Sequence, residues 1–165
     1  MDQNMARMGQ VVFSGPNQTE LRCLGLGSCI GLCVMDPALK LACLAHIVLP
    51  ESTSANPADP AKFANTAVPY VIQEMSNKGA VKTRLRAAIV GGAQLFNFEN
   101  ANTTMDVGKR NIEAVKKHLA ALKIRLTAED VGGKVGRSII LDSASGDVTV
   151  RQSGAPEKRL VNLRS

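Results

Sequence analysis

Two apolar runs joined by a single turn constrain this chain more than any other feature. Residues 29–35 are nearly all apolar and follow directly on a glycine-bearing corner; residues 39–49 form another long apolar run, and Asp36-Pro37 turns the chain between them. Both runs are rich in Ile, Val, Leu and Cys and do not alternate strictly with polar residues. That pattern belongs to strands buried on both faces. Residues 28–49 therefore read as a hairpin at the centre of a sheet.

The rest of the chain fits round that hairpin. Residues 10–14 and 20–26 read as strands, with a Gly15-Pro16-Asn17 turn between them. Residues 50–60 are full of Ser, Asn, Pro and Asp and form a loop long enough to cover a site. Residues 61–78 carry apolar positions at 63, 67, 71 and 75, a helical stripe closed by Gly79. Pro69 should kink that helix or mark its first turn. A strand over 85–90 ends at Gly91-Gly92. A second helix over 106–122 turns Val107, Ile112, Val115, Leu119 and Leu122 inward. Four more strands are expected at 124–131, 138–142, 147–151 and 159–163. Many strands with two helices, partly segregated, predict an α/β sandwich rather than a doubly wound nucleotide fold.

At 165 residues the chain suits one domain, 1–165 with a core of about 10–163, and 45% apolar content supplies a real interior. With four Phe, one Tyr and no Trp, it lacks the rings of a single-strand nucleic-acid platform. The net charge of +6 comes from Lys and Arg spread along the sequence, not from a stripe in a binding motif. Nucleic acid is therefore not an expected partner, and the excess charge reads as solvated faces or attraction to an acidic partner. No apolar run is long enough to span a bilayer, and residues 1–10 lack the apolar centre of a signal peptide. A cytoplasmic protein without membrane insertion is expected.

Cysteines at 23, 29, 33 and 43 contain no C-x-x-C pair, so neither zinc nor any other metal is expected. Cys33 and Cys43 lie inside apolar runs and read as small core residues. Cys29 is different, because it sits between the corner Leu24-Gly25-Leu26-Gly27-Ser28 and a buried strand. Two glycines two residues apart open backbone conformations closed to other residues. They also let a substrate approach, with N–H groups near Gly27 and Ser28 free to face a developing oxyanion. A nucleophilic thiol needs a base, and the chain has two histidines. His46 and Cys29 lie at similar distances either side of the 36–38 turn, which brings them opposite or diagonal on neighbouring strands. His118, among lysines on a helix, reads as a surface residue. Gly27-x-Cys29-x-Gly31 has the spacing of a nucleophile elbow, but an elbow leads into a helix and Cys29 starts a strand. A dinucleotide loop would need glycine at 30, where Ile stands.

Leu24-Gly25-Leu26-Gly27-Ser28-Cys29 and Ala45-His46-Ile47-Val48-Leu49-Pro50 resemble the two signature segments of the bacterial chemotaxis family CheD. Supporting likenesses run through Lys62-Phe63-Ala64-Asn65-Thr66-Ala67, Gly91-Gly92-Ala93, Gly108-Lys109-Arg110-Asn111, and Ala128-Glu129-Asp130-Val131-Gly132-Gly133 with Arg137. The resemblance implies a deamidase, a protein-glutamine glutaminase, that converts glutamines of methyl-accepting chemotaxis receptors to glutamates. It implies a three-layer α/β sandwich, similar to that of deamidating bacterial toxins, no cofactor, and in some relatives regulation by the phosphatase CheC. The family's catalytic cysteine and histidine fall on Cys29 and His46. Where the family has a threonine that orients the histidine, this chain has Cys23. Either Cys23 takes that part, or a backbone carbonyl does, or activity is reduced. The competing expectation is a regulatory module that docks on CheC or receptor helices with little or no chemistry. Methyl ester hydrolysis on the same receptors would use the same residues.

Overall fold

A computed structural model describes residues 3–94 and 106–165 of the chain. The predicted hairpin is β3 (Ile30–Asp36) and β4 (Leu41–Ile47), antiparallel, with Gly31 opposite His46 and Asp36 opposite Leu41. Every residue of β3 is buried. The run reads as continuously apolar because both of its faces are covered. Even-numbered Ile30, Leu32 and Val34 pack with Val68, Val71, Val115 and Leu119 of the helices. Odd-numbered Cys33 and Met35 pack with Leu21, Ile139 and Leu141 of a second sheet. Burying each large aliphatic side chain contributes about 1.5–3 kcal/mol, so this strand is anchored from two directions.

Three layers result. β1 (Val11–Phe13), β4, β3, β5 (Arg86–Gly91) and β6 (Arg125–Val131) form a five-stranded sheet in that order. On one face lie α1 (Ala64–Asn77) and α2 (Val107–Ala121); on the other lies a four-stranded antiparallel sheet. That sheet is β2 (Glu20–Leu26), β7 (Arg137–Asp142), β8 (Asp147–Gln152) and β9 (Lys158–Asn162). β5 and β6 run parallel, as strands joined across a helix must. The arrangement is the three-layer α/β sandwich expected. Residues 1–2 and 95–105 of the expected 1–165 span lie outside the described residues.

Two helix details differ from the sequence reading. α1 begins at Ala64, not 61, because Pro60–Lys62 forms a separate 3-10 turn. Pro69 is the sixth residue of α1, and the helix continues through it. At the turn end of the hairpin, buried Asp36 accepts N–H bonds from Ala38 and Val81 at 3.0 Å and pairs with Arg84 at 2.8 Å. At the opposite end of the hairpin, where Cys29 and His46 stand, the strands are flanked by residues held from α2. No described helix is long and apolar enough to cross a membrane.

Candidate active site

The hairpin register fixes where the two residues meet. Ile30 pairs with Ile47 and Gly31 with His46, so Cys29, one residue before β3, lies diagonal to His46. This is one of the two geometries the sequence allowed. Side chains alternate along β4: Cys43, Ala45 and Ile47 face the helices, and His46 therefore faces the second sheet. Gly31 is on that same side, and a Cβ there would come within 2.3 Å of Ile139 Cδ1 and 3.0 Å of Leu26 Cδ1. With glycine here the Ile139 and Leu26 side chains pack close beside the histidine; a larger residue would make them shift.

The N-terminal residues complete the surroundings of the imidazole. Met5 bridges to Arg22, Ala6 N–H donates to the Arg22 carbonyl, and Gly9 N–H donates to the His46 carbonyl. This strap crosses from β2 to β4 and places the Ala6 carbonyl 3.1 Å from His46 Nδ1. A carbonyl only accepts, so Nδ1 carries the proton and donates to it. Cys23 Sγ lies 3.3 Å from the same nitrogen and itself donates to the Ala6 carbonyl at 3.5 Å. Nε2 is left unprotonated; it is buried and has no hydrogen-bond partner among the described residues. That is the form a base must take. Burial lowers the His46 pKa, partly offset by the bond to Ala6, so the ring is neutral at neutral pH.

A cavity of about 400 Å³ opens here, and both Cys29 and His46 line it. Its walls are mostly apolar: Met5 and Met8 from the strap and Leu24 from the corner, the last two well exposed. No residue of the 50–60 loop lines it. The segment beside the site is the strap, which sequence reasoning passed over. Two cavities rimmed by Arg86 and Arg125, of about 420 and 430 Å³, contain neither thiol nor imidazole, so size alone does not mark the site.

The corner differs from its expected form in one respect. Gly25 takes the left-handed conformation, with φ of 66°, but Gly27 does not. Gly27 serves instead through its carbonyl, which accepts from Ala93 N–H at 2.8 Å. The Ser28 carbonyl accepts from Asn111 Nδ2 at 2.9 Å, and the Cys29 carbonyl from Gly92 N–H at 2.9 Å. Three successive carbonyls are thus engaged, whereas the N–H groups of Ser28 and Cys29 donate to nothing among the described residues. Asn111 is a contributor that spacing and periodicity did not reveal, although it ends one of the stretches that carried the resemblance. His118 stands partly exposed on α2, away from the cavity.

All four cysteines are free, and Cys29 is the one that is not fully buried. Burial pushes the Cys33 thiol well up and the Cys43 and Cys23 thiols up to about 12, so all three stay protonated in the interior. Burial also raises the Cys29 thiol above its ordinary value. His46 is neutral and, although Arg7 lines the same cavity, burial is what governs the Cys29 thiol. Alkylation of Cys29 by iodoacetamide is therefore expected to keep rising beyond about pH 8.5, the midpoint of a free cysteine. A rate that levels off near pH 7 would reveal a standing thiolate–imidazolium pair and contradict this.

The profile described as CheD chemotactic sensory transduction matches residues 48–152. A Clostridium botulinum protein named probable chemoreceptor glutamine deamidase CheD is 48% identical over 144 residues, 87% of this chain and 88% of that one. The chain belongs to the CheD family. A Desulforamulus reducens relative of the same printed name is 44% identical over 148 residues, 89% of this chain and 88% of its own. The profile match begins after His46, but an alignment of 144 residues within 165 must include both Cys29 and His46 of this CheD-family chain. A crystal structure of Bacillus licheniformis hypothetical protein YfiH aligns with a TM-score of 0.46 and 13% identity, covering 74% of this chain and 49% of that one. That likeness is too slight to bear on fold or chemistry.

Proposed function

We propose that this chain hydrolyses the side-chain amide of glutamines in chemotaxis receptors, giving glutamate and ammonia, with Cys29 as nucleophile and His46 as general base. The whole chain is read as a single catalytic domain acting in the cytoplasm. The observation that carries the reading is the imidazole held through Nδ1 by the Ala6 carbonyl, its other nitrogen without a partner among the described residues, in a residue that lines the same cavity as Cys29. The names of the relatives, chemoreceptor glutamine deamidases, supply the substrate.

The pair is neutral at rest, so the nucleophile is made at the moment of attack. His46 Nε2 takes the Cys29 proton as Sγ bonds to the amide carbon. The carbonyl electrons move to oxygen, and the N–H groups of Ser28 and Cys29 donate hydrogen bonds to that oxyanion. His46 returns the proton to the amide nitrogen, the C–N bond breaks, and ammonia leaves a thioester. Water then adds to the thioester, giving its proton to Nε2. As the C–S bond breaks, the proton returns to sulfur.

The Ala6 carbonyl fills the part assigned elsewhere in the family to a threonine, and Cys23 assists as a second neighbour of Nδ1. With that carbonyl orienting the ring, a cysteine at 23 in place of the threonine is no argument for a regulator without chemistry. Mass spectrometry of a receptor cytoplasmic fragment incubated with the protein tests the proposal. Glutamine-to-glutamate conversion at defined positions is expected. Absence of conversion, with retained binding to CheC or the receptor, would make the chain a regulator instead.

A further inference from the structure

Asn111 is fully buried on α2, far in sequence from both segments of the site. Its Nδ2 donates to the Ser28 carbonyl and to the Val48 carbonyl, each at 2.9 Å. One amide thus ties the residue before Cys29 to the residue two after His46. Both acceptors are carbonyls, so the nitrogen must be the atom that faces them. The other end of the side chain is poorly provided for: Oδ1 is buried without a partner among the described residues. An orphaned buried acceptor costs about 1–3 kcal/mol, whereas an apolar residue here would take the donor from the Ser28 and Val48 carbonyls instead. Satisfying those carbonyls does not by itself account for an effect at Cys29.

Peptide geometry suggests what does. A carbonyl and the N–H of the next residue share one rigid plane and, in a trans peptide, point in opposite directions. The chain has no cis peptide bond among the described residues. Holding the Ser28 carbonyl therefore aims the N–H of Cys29, and holding the Gly27 carbonyl through Ala93 N–H aims that of Ser28. Both of these N–H groups donate to nothing among the described residues. The Gly27 plane is set by main chain, whereas the Ser28 plane depends on a side chain.

We infer that Asn111 is a positioning residue for the oxyanion: it fixes the plane that presents Cys29 N–H to the substrate, and the same amide holds the end of the His46 strand in register. The inference rests on the deamidase reading for its chemistry, but the clamp itself does not. The variants are Asn111→Leu, which keeps the volume and removes the donor, and Asn111→Ala. Turnover of the receptor fragment is expected to fall about 100-fold in kcat, the scale of one lost or misplaced donor, with KM little changed. Alkylation of Cys29 at alkaline pH, which develops no oxyanion, should remain close to the parent rate. Amide hydrogen exchange should quicken in residues 27–30 and 47–49 in both variants, whatever the substrate proves to be. Parent-like turnover, a rise in KM alone, or unchanged exchange in those residues would overturn the inference. So would failure of both variants to fold, which would make Asn111 structural. A parent protein that converts no glutamine, with exchange altered as expected, would sink the deamidase reading and leave the clamp standing.

Discussion

Cys29→Ser is expected to abolish glutamine conversion, by roughly 10,000-fold or more, while the protein keeps its fold. The substitution exchanges one atom at a half-buried position whose side chain holds no hydrogen bond among the described residues. Little packing is lost, and the melting temperature should hardly move. The chemistry changes far more. A hydroxyl is much harder to ionise than a thiol, and the base available is an imidazole whose proton affinity burial has already lowered. In the cysteine protein His46 already takes a proton from a thiol that burial has made harder to ionise; in the serine protein it must take one from a much weaker acid still. Receptor-fragment mass spectrometry beside a thermal melt checks both halves. Substantial conversion by the serine protein would mean that some group other than Sγ attacks the amide.

Removing residues 1–8 is expected to lower kcat by roughly 100- to 10,000-fold, whereas Cys23→Ala should cost less than about tenfold. The contrast follows from what each neighbour does for Nδ1. The Ala6 carbonyl accepts and cannot donate, so it fixes the tautomer; the Cys23 thiol, held up to about 12, stays protonated and does not. Without the strap the ring is free to carry its proton on Nε2, where it is useless as a base. Among residues 3–9 only Ala6 is buried, so the truncated chain should still fold. A parallel pair of kinetic assays and melts decides the matter. If Cys23→Ala proves the more damaging change, the thiol orients the ring and the strap merely covers it.

The hairpin was legible in the sequence because burial on both faces leaves its own mark: runs such as 29–35 carry no polar alternation. Counting outward from one turn then left Cys29 and His46 opposite or diagonal, and the register decides for diagonal. The helices were legible from period alone, though Pro60–Lys62 shows how a proline cluster breaks off the start of an apparent stripe. Other features were closed to such reading for physical reasons. β2 leaves its sequence neighbours to pair with β7, more than a hundred residues on, and local pattern carries no trace of that choice. Ala6 acts through its main chain, which every residue possesses, so nothing about an alanine advertises it. Asn111 on a helix looks like any surface amide until its two acceptors are seen. The direction of the Cys29 shift depends on burial by residues spread over the chain, and a motif says nothing of it.

β3, enclosed by helices on one side and a sheet on the other, has a consequence for how damage to this protein would show itself. The segments that open most readily are those with few apolar contacts, and a strand anchored from two directions is among the last to yield. Cys29 and His46 stand at the end of that strand pair. A weakening substitution far from the cavity should therefore thin the population of working molecules without altering each survivor. In a cell it would look like a shortage of enzyme, not a poorer one.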